Sequence, residues 1–205
     1  MNYNKRLLII GAGGHGRVIA EIASRLDVYS EISFLDDNAK DGLPIIGKVA
    51  EYVKYIDSAD FVIGIGSNST RERIHAELSE HNAKIVSLIH PNSVIAKDVI
   101  IGEGTVIMAG AIVNTGAKIG KSVILNTSSS VDHDCVVDDF VHVSVGAHIA
   151  GSVKIGNKTF VGAGATVINN IDICRECMIG AGAVVVNNLT VKGVYVGVPA
   201  RITDK

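Results

Sequence analysis

The 205-residue chain has no apolar stretch of the roughly 18 to 20 residues that a membrane span requires, so no membrane insertion is expected. It also lacks any block of like charge. Asp, Glu, Lys and Arg together make 20% of the residues and the formal net charge is -2, which argues against nucleic acid or an anionic membrane surface as a partner. Cysteine is scarce: three residues, an odd number without framework spacing, fit a reducing compartment. The N-terminal run "MNYNKRLLIIGAGG" meets a glycine turn too soon for a signal peptide, so a cytoplasmic location is expected. What is plentiful is apolar side chain. At 47% hydrophobic, the chain can fill the core of one domain or of two small ones.

The second half carries a repeat. From Ile95 to Val191 every sixth residue is Ile, Leu or Val, and the position two residues earlier is small or aliphatic, from Ser93 and Val99 to Ala183 and Leu189. A helix cannot use a period of six, because 3.6 residues per turn would carry the stripe around its whole surface. A chain that runs a short strand, turns and repeats can. The hexapeptide pattern predicts a parallel β-helix with three hexapeptides per coil, so that residues i and i+18 stack and the two restricted positions point inward. About five to six coils, spaced at about 4.8 Å, make a prism roughly 25 Å tall. Glycines following the aliphatic position, as in "IGEG" and "VGAG", are expected to serve the corners.

The first half has a different grammar. "RLLIIGAG", "EISFLDD", "ADFVIGIGS" and "AKIVSLIHP" read as strands. "GRVIAEIASRL" reads as a helix burying Val18, Ile19, Ile22 and Leu26, and "STRERIHAELSEHN" as a second helix that a Ser or Thr can cap. Strands alternating with helices imply a small parallel sheet, with Pro91 at the junction to the prism. Gly11, Gly13 and Gly16 make a formal dinucleotide fingerprint with Asp36 twenty residues beyond Gly16. A glycine turn opening a helix suits an anion, but that anion need not belong to NAD: the segment spans about half of a full dinucleotide fold. A nucleotide diphosphate fits as well, and a tight turn without any ligand is the plainer alternative.

The segments "IIGAGGHGRV", "FLDD", "GIGSNSTR", "LIHP", "ILNTSSSVDHDC", "VHVSVGAHIAGSVKIG" and "GVYVGVPA" run through nearly the whole chain. With them the sequence resembles the sialic-acid O-acetyltransferase family of hexapeptide acyltransferases and, within it, the nucleotide-sugar N-acetyltransferases of bacillosamine-type pathways. The resemblance implies an α/β Rossmann-like domain over residues 1–90, a left-handed parallel β-helix over 91–195, a C-terminal tail over 196–205, and assembly as a homotrimer.

Spacing puts two histidines outside the prism core: His133 follows inward Val131 by two residues and His142 precedes inward Val143, so both are expected on the outer surface. Asp132 and Asp134 flank His133, and the residue one coil above it is Gly151, which leaves room beside the ring. By the resemblance, His133 is the general base, Asp134 its orienting partner, His142 a contact to the acetyl group and Gly151 an oxyanion donor. Many relatives carry Glu where Asp134 stands. Ala163 and Ala181, in "VGAGATV" and "IGAGAVV", are expected along the acetyl-CoA groove. Gly13 and His15 are expected near the phosphates of a nucleotide sugar, and Asp36 and Asp37 near its nucleoside.

His75, His81 and His90 read as solvated. Cys174 and Cys177 invite a zinc or redox reading, but their register predicts that the pair diverges, so no metal is expected. The expected activity is acetyl-CoA-dependent N-acetylation of the 4-amine of a nucleotide-linked amino-dideoxy sugar, most simply a UDP sugar, for glycan biosynthesis. The alternatives are O-acetylation of sialic acid or a related sugar, N-acetylation of a GDP-perosamine-type sugar, and a nucleotide-binding regulatory module without catalysis.

Overall fold

The computed structural model describes residues 5–38 and 42–203. These divide into two compact units that separate after Pro91.

In the first unit, β1 (Arg6–Ile10), β2 (Glu31–Leu35), β3 (Ile45–Gly47), β4 (Asp60–Ile63) and β5 (Lys84–Ile85) form one parallel sheet in the order β3-β2-β1-β4-β5. Helices α1 (Gly14–Leu26) and α2 (Asn68–Glu80) connect its strands. The central strands β1 and β4 are apolar because they lie between covered faces; Leu7 to Ile10 are fully buried, as are Phe61 and Val62. Two connections were not visible as periodic pattern: the short edge strand β3 and the 3-10 helix Val49–Tyr55 that follows it. The segment "AKIVSLIHP" divides into β5 and a separate strand β6 (Leu88–Ile89). In α1, Ile19, Ile22 and Ala23 are buried and Leu26 half-buried, whereas Val18 is 41% exposed, so the apolar face is narrower than expected. Ser67 caps α2, its Oγ accepting the Thr70 N–H.

The second unit is a parallel β-helix. Sixteen two-residue strands, β7 (Val94–Ile95) to β22 (Val184–Val185), recur every six residues and divide among three faces. Register along each face advances by one coil, as in Val94–Ile112–Ser130–His148–Thr166–Val184. The two restricted positions do fill the core: Val131, Val143, Cys135 and Ala147 have no exposure. The repeat stops one hexapeptide before the sequence pattern does. After Val185 the chain closes the prism with Leu189, bridged to Ile173, and Val191 is 59% exposed. Then β23 (Val194–Val196) extends the third face and β24 (Arg201–Thr203) pairs antiparallel with it, so this stretch of the C-terminal segment is a strand; residues 204–205 lie outside the described residues.

Two different glycine roles divide what the sequence presents as one. The left-handed backbone recurs at every sixth residue from Gly104 to Gly182, and at most of these positions the residue is not glycine: Ser122, Asp134, Phe140 and Lys158 all have positive φ. The glycines directly after the aliphatic position serve instead for close approach. A Cβ on Gly102 or Gly156 would lie 2.5 Å from the backbone of the next coil.

Candidate active site

The turn that joins the first face to the second carries His133. Asp134 is its left-handed residue, φ 58°, and the Asp134 N–H is anchored on the Thr115 carbonyl of the coil below at 3.0 Å. Asp is among the residues that tolerate this conformation. That geometry brings Asp134 Oδ2 to 2.9 Å from His133 Nδ1. On the other side Asp132 Oδ1 accepts the His133 N–H at 2.8 Å and is itself held by Asn114 Nδ2 at 2.8 Å. Above the ring is Gly151: a Cβ there would sit 2.5 Å from His133 Nε2. The imidazole is half exposed, and the hydrogen bond its Nδ1–H donates to Asp134, with the charges of Asp132 and Asp134, raises its pKa above the ordinary 6.5. The arrangement is a base with one nitrogen held by a carboxylate and the other open beside a residue without a side chain. Such a pair can take a proton from an amine or hydroxyl.

His142 lies elsewhere, on a strand of the third face. It was expected on the outer surface, and this is corrected: only 9% of it is exposed, because Phe160, its neighbour in register, covers it edge-on at 5.0 Å between ring centroids. Asn126 Nδ2 lies 3.1 Å from His142 Nε2. Within one chain the structure does not bring His142 to His133. Ala163 and Ala181 are both exposed on the turns from the third face to the first, stacked so that the Gly182 N–H donates to the Ala163 carbonyl at 2.8 Å.

In the first unit, a cleft of about 410 Å³ lies at the C-terminal ends of β1, β2 and β4, lined by the Gly11–Gly14 loop, His15, Asp36, Asp37 and Gly64–Gly66. This is where the strand order reverses, the place at which open α/β sheets bind ligands. Gly11 has φ 100°, and Gly16 lies so close to the Gly11 carbonyl that a side chain there would collide with it. Gly13 is the N-cap of α1 with no side-chain partner, leaving helix N–H groups toward the cleft. His15 is pushed down to about pKa 4 by burial and by the nearby Arg71 guanidinium, so it is neutral at pH 7, and its Nε2 is buried without a hydrogen-bond partner among the described residues. Asp36 and Asp37 line the cleft but also hold its walls. Asp36 accepts the Ala12 N–H at 2.6 Å and the Asn38 N–H at 2.8 Å, and Asp37 accepts the Val49 N–H at 3.0 Å.

Several participants escaped the sequence. Arg71 is buried at 1% exposure beneath this cleft's loop, donating to the carbonyls of Ile65 and Gly66 and to Asn68 Oδ1; in "STRERIH" it looks like one of three solvated helix charges. Asn114 and Phe160 were accessible in principle, since each lies eighteen residues from its partner, Asp132 and His142. His75 and His90, expected to be solvated, are buried at 5% and 7% exposure. The cysteine pair also departs from expectation. Cys174 and Cys177 do not diverge: their sulfurs lie 3.5 Å apart. Among the described residues no group of three or more His, Cys, Asp or Glu side chains is arranged to hold a metal ion, and no helix is long and apolar enough to cross a membrane.

The chain thus carries an open cleft on a small parallel sheet in one unit and, in the other, a β-helix with a carboxylate-held histidine at one corner. Comparison with known proteins shows which family has this build. Residues 6–78 match the PglD N-terminal domain. The acetyltransferase domain of PglB from Neisseria gonorrhoeae is 37% identical with a TM-score of 0.94, over 98% of this chain and 100% of that one; the same domain is also known in complex with acetyl coenzyme A. PerB from Caulobacter crescentus, in complex with CoA and GDP-perosamine, is 34% identical with a TM-score of 0.91, over 96% of each chain. The UDP-N-acetylbacillosamine N-acetyltransferase of Bacillus subtilis (strain 168) is 36% identical over 113 residues, a match that spans 51% of this chain and 51% of that enzyme. The chain belongs to this family of sugar N-acetyltransferases, an α/β domain followed by a left-handed parallel β-helix.

Proposed function

We propose that this protein transfers the acetyl group of acetyl-CoA to the 4-amine of a nucleotide-linked amino-dideoxy sugar, a UDP sugar, in glycan biosynthesis. The observation that carries the reading is the His133 ring, held at Nδ1 by Asp134 and bordered at Nε2 by Gly151. In this account the sugar amine attacks the thioester carbonyl while His133 Nε2 takes its proton. The resulting oxyanion is met by the Gly151 N–H, the C–S bond breaks, and the CoA thiolate receives the proton back from His133. Transfer is direct, with no covalent acyl-enzyme. Asp134 keeps Nδ1 protonated, so that Nε2 is the basic nitrogen.

His142, with Asn126, is assigned to the acetyl-CoA carbonyl, and exposed Ala163 and Ala181 to the pantetheine path. Since His133 and His142 sit on a corner and on the remaining face of one prism, a site that uses both needs a second copy, which supports a homotrimer. In the first unit the helix N–H groups after Gly13, with His15, suit a diphosphate, and Asp36 and Asp37 suit a nucleoside. Acetyl-CoA as donor is in keeping with a cytoplasmic enzyme. A GDP-linked amino sugar is the second reading, favoured by the near-complete overlap with PerB.

Thiol release from acetyl-CoA, measured with UDP- and GDP-4-amino sugars and with sialic acid, tests the proposal. Release with one UDP amino sugar and its loss in His133→Ala supports it. Release only with a GDP sugar moves the substrate, release only with a hydroxyl acceptor moves the reaction to O-acetylation, and silence with every acceptor leaves a nucleotide-binding module.

A further inference from the structure

Neither the N-terminal cleft nor the His133 turn uses the thiols of Cys174 and Cys177. These stand at the two ends of the turn from β20 (Asp172–Ile173) to β21 (Met178–Ile179), near the end of the prism. A residue of the coil below clamps that turn. Thr159 Oγ1 donates to the Cys174 carbonyl at 3.1 Å and accepts the Cys177 N–H at 3.3 Å, so one buried hydroxyl ties both cysteine backbones. Between them Glu176 is left-handed, φ 59°, with its N–H donating to the Asn157 carbonyl at 2.9 Å. On this clamped turn the sulfurs lie 3.5 Å apart. A disulfide holds them at about 2.05 Å, so closure asks the side chains for an approach of about 1.5 Å.

The clamp belongs to the repeat, since Thr105 holds Gly120 and Val123 in the same way. The thiols are what this coil adds. Gly102, Gly120 and Gly156 occupy the place of Cys174 in other coils, and a Cβ on Gly156 would lie 2.5 Å from the Arg175 nitrogen of the coil above. Above Cys174 the regular coils have ended, with only the Ile173–Leu189 bridge continuing that face, which leaves room for a side chain. The two thiols also differ. Cys174 is half-buried, whereas Cys177 is 2% exposed, and burial beside Cys174 pushes the Cys177 thiol up to about 12, so it stays protonated at neutral pH. A reagent from solvent meets Cys174 first, with a second thiol directly behind it. An exposed thiol backed by a resolving one is the arrangement of a reversible oxidation site.

We propose that Cys174 and Cys177 are such a site, closing to a disulfide when the protein meets a peroxide. The Cys174 sulfur attacks the O–O bond of hydrogen peroxide, giving a sulfenic acid and one water. The Cys177 sulfur then displaces the sulfenic hydroxyl, which leaves with the Cys177 proton as a second water. The two thiols together lose two electrons and two protons, and the peroxide is reduced to water. A low-molecular-weight thiol reopens the bond by exchange. The site involves neither His133 nor the cleft, so it stands apart from the function proposed above. Cys135, fully buried with its Sγ donating to the Ala150 carbonyl at 3.1 Å, serves as an internal reference.

Reduced full-length protein is exposed to hydrogen peroxide, quenched by alkylation at successive times and cleaved with trypsin, which separates the cysteines after Arg175. Mass spectrometry should show the Cys174 and Cys177 peptides joined, in a protein of monomer mass two hydrogens lighter, and released by dithiothreitol. Joining is expected about tenfold faster than any oxidation of Cys135. In Cys177→Ser the reaction should stop at a Cys174 sulfenic acid, which dimedone traps. The wild-type time course decides even where that variant does not fold: thiols that both remain open to alkylation, disulfides formed only between chains, or Cys135 oxidised as fast as the pair would overturn the proposal.

Discussion

The imidazole of His133 occupies the space that a side chain at Gly151 would fill, one coil higher on the same edge of the prism. Gly151→Ala therefore has to displace the ring. Because the Ser152 N–H is tied to the His133 carbonyl at 2.9 Å, the two backbones cannot part to make room. The expected outcome is a fall in kcat of about a hundredfold, typical of a misplaced catalytic group, with the folded state retained. Steady-state kinetics beside a thermal melt checks it.

Asp134 raises the pKa of His133, and a general base works only when neutral. The acid limb of kcat/KM is accordingly expected above 6.5. Asp134→Asn preserves the left-handed backbone, since Asn tolerates φ near 58°, but removes the charge. The acid limb should then move down toward 6.5 while the plateau rate falls roughly tenfold to a hundredfold. A pH–rate profile of the two proteins decides; an unmoved limb means that another group titrates.

His15 links the first unit's stability to pH. Its pKa is about 4 in the folded protein against 6.5 ordinarily, so above pH 6.5 neither state binds the proton and the stability is at its full value. As pH falls from 6.5 toward 4 the unfolded chain takes up a proton that the fold refuses, and stability drops by about 3 kcal/mol at most. Urea unfolding at pH 7.5 and pH 5 should show a smaller drop for His15→Gln than for wild type. Equal drops would contradict the burial argument.

Ser129 occupies an inward core position with 1% exposure, and its Oγ has no hydrogen-bond partner among the described residues. Alanine is the common occupant of equivalent positions, as at Ala111, Ala147 and Ala165. Ser129→Ala should raise stability by about 1 kcal/mol, the usual gain on relieving a buried unsatisfied hydroxyl. Chemical denaturation reads it directly.

How much of this is legible in the sequence depends on distance along the chain. The β-helix is legible because its stacking turns a long-range contact into a fixed offset of eighteen residues. From that offset alone follow the pairing of His133 with Gly151, of Asn114 with Asp132 and of His142 with Phe160; only the first stands beside a motif that singles it out in the sequence. The end of the repeat is not legible, since Val191 has the right residue type and only the missing coil above it leaves it exposed. The glycine motif is legible as a turn, but its two causes are not: positive φ and close approach place the same residue two positions apart. In the α/β unit no fixed offset exists. Arg71 is buried by tertiary packing against the Ile65–Gly66 carbonyls, which no periodicity of α2 encodes. His142 points away from the prism core as alternation requires, yet is covered by a neighbouring ring, because alternation specifies the side of a strand and not what lies upon it.

The most direct test follows product rather than thiol. Purified protein is incubated with acetyl-CoA and a UDP-4-amino-4,6-dideoxy sugar, and the nucleotide sugar is examined by mass spectrometry and NMR for an acetamido group at C4, with His133→Ala in parallel. Acetylation at the 4-amine by wild type, reduced at least a hundredfold in the variant, is the predicted result; equal product from both proteins would contradict the assignment of His133 as the base, and an unmodified sugar would contradict the activity.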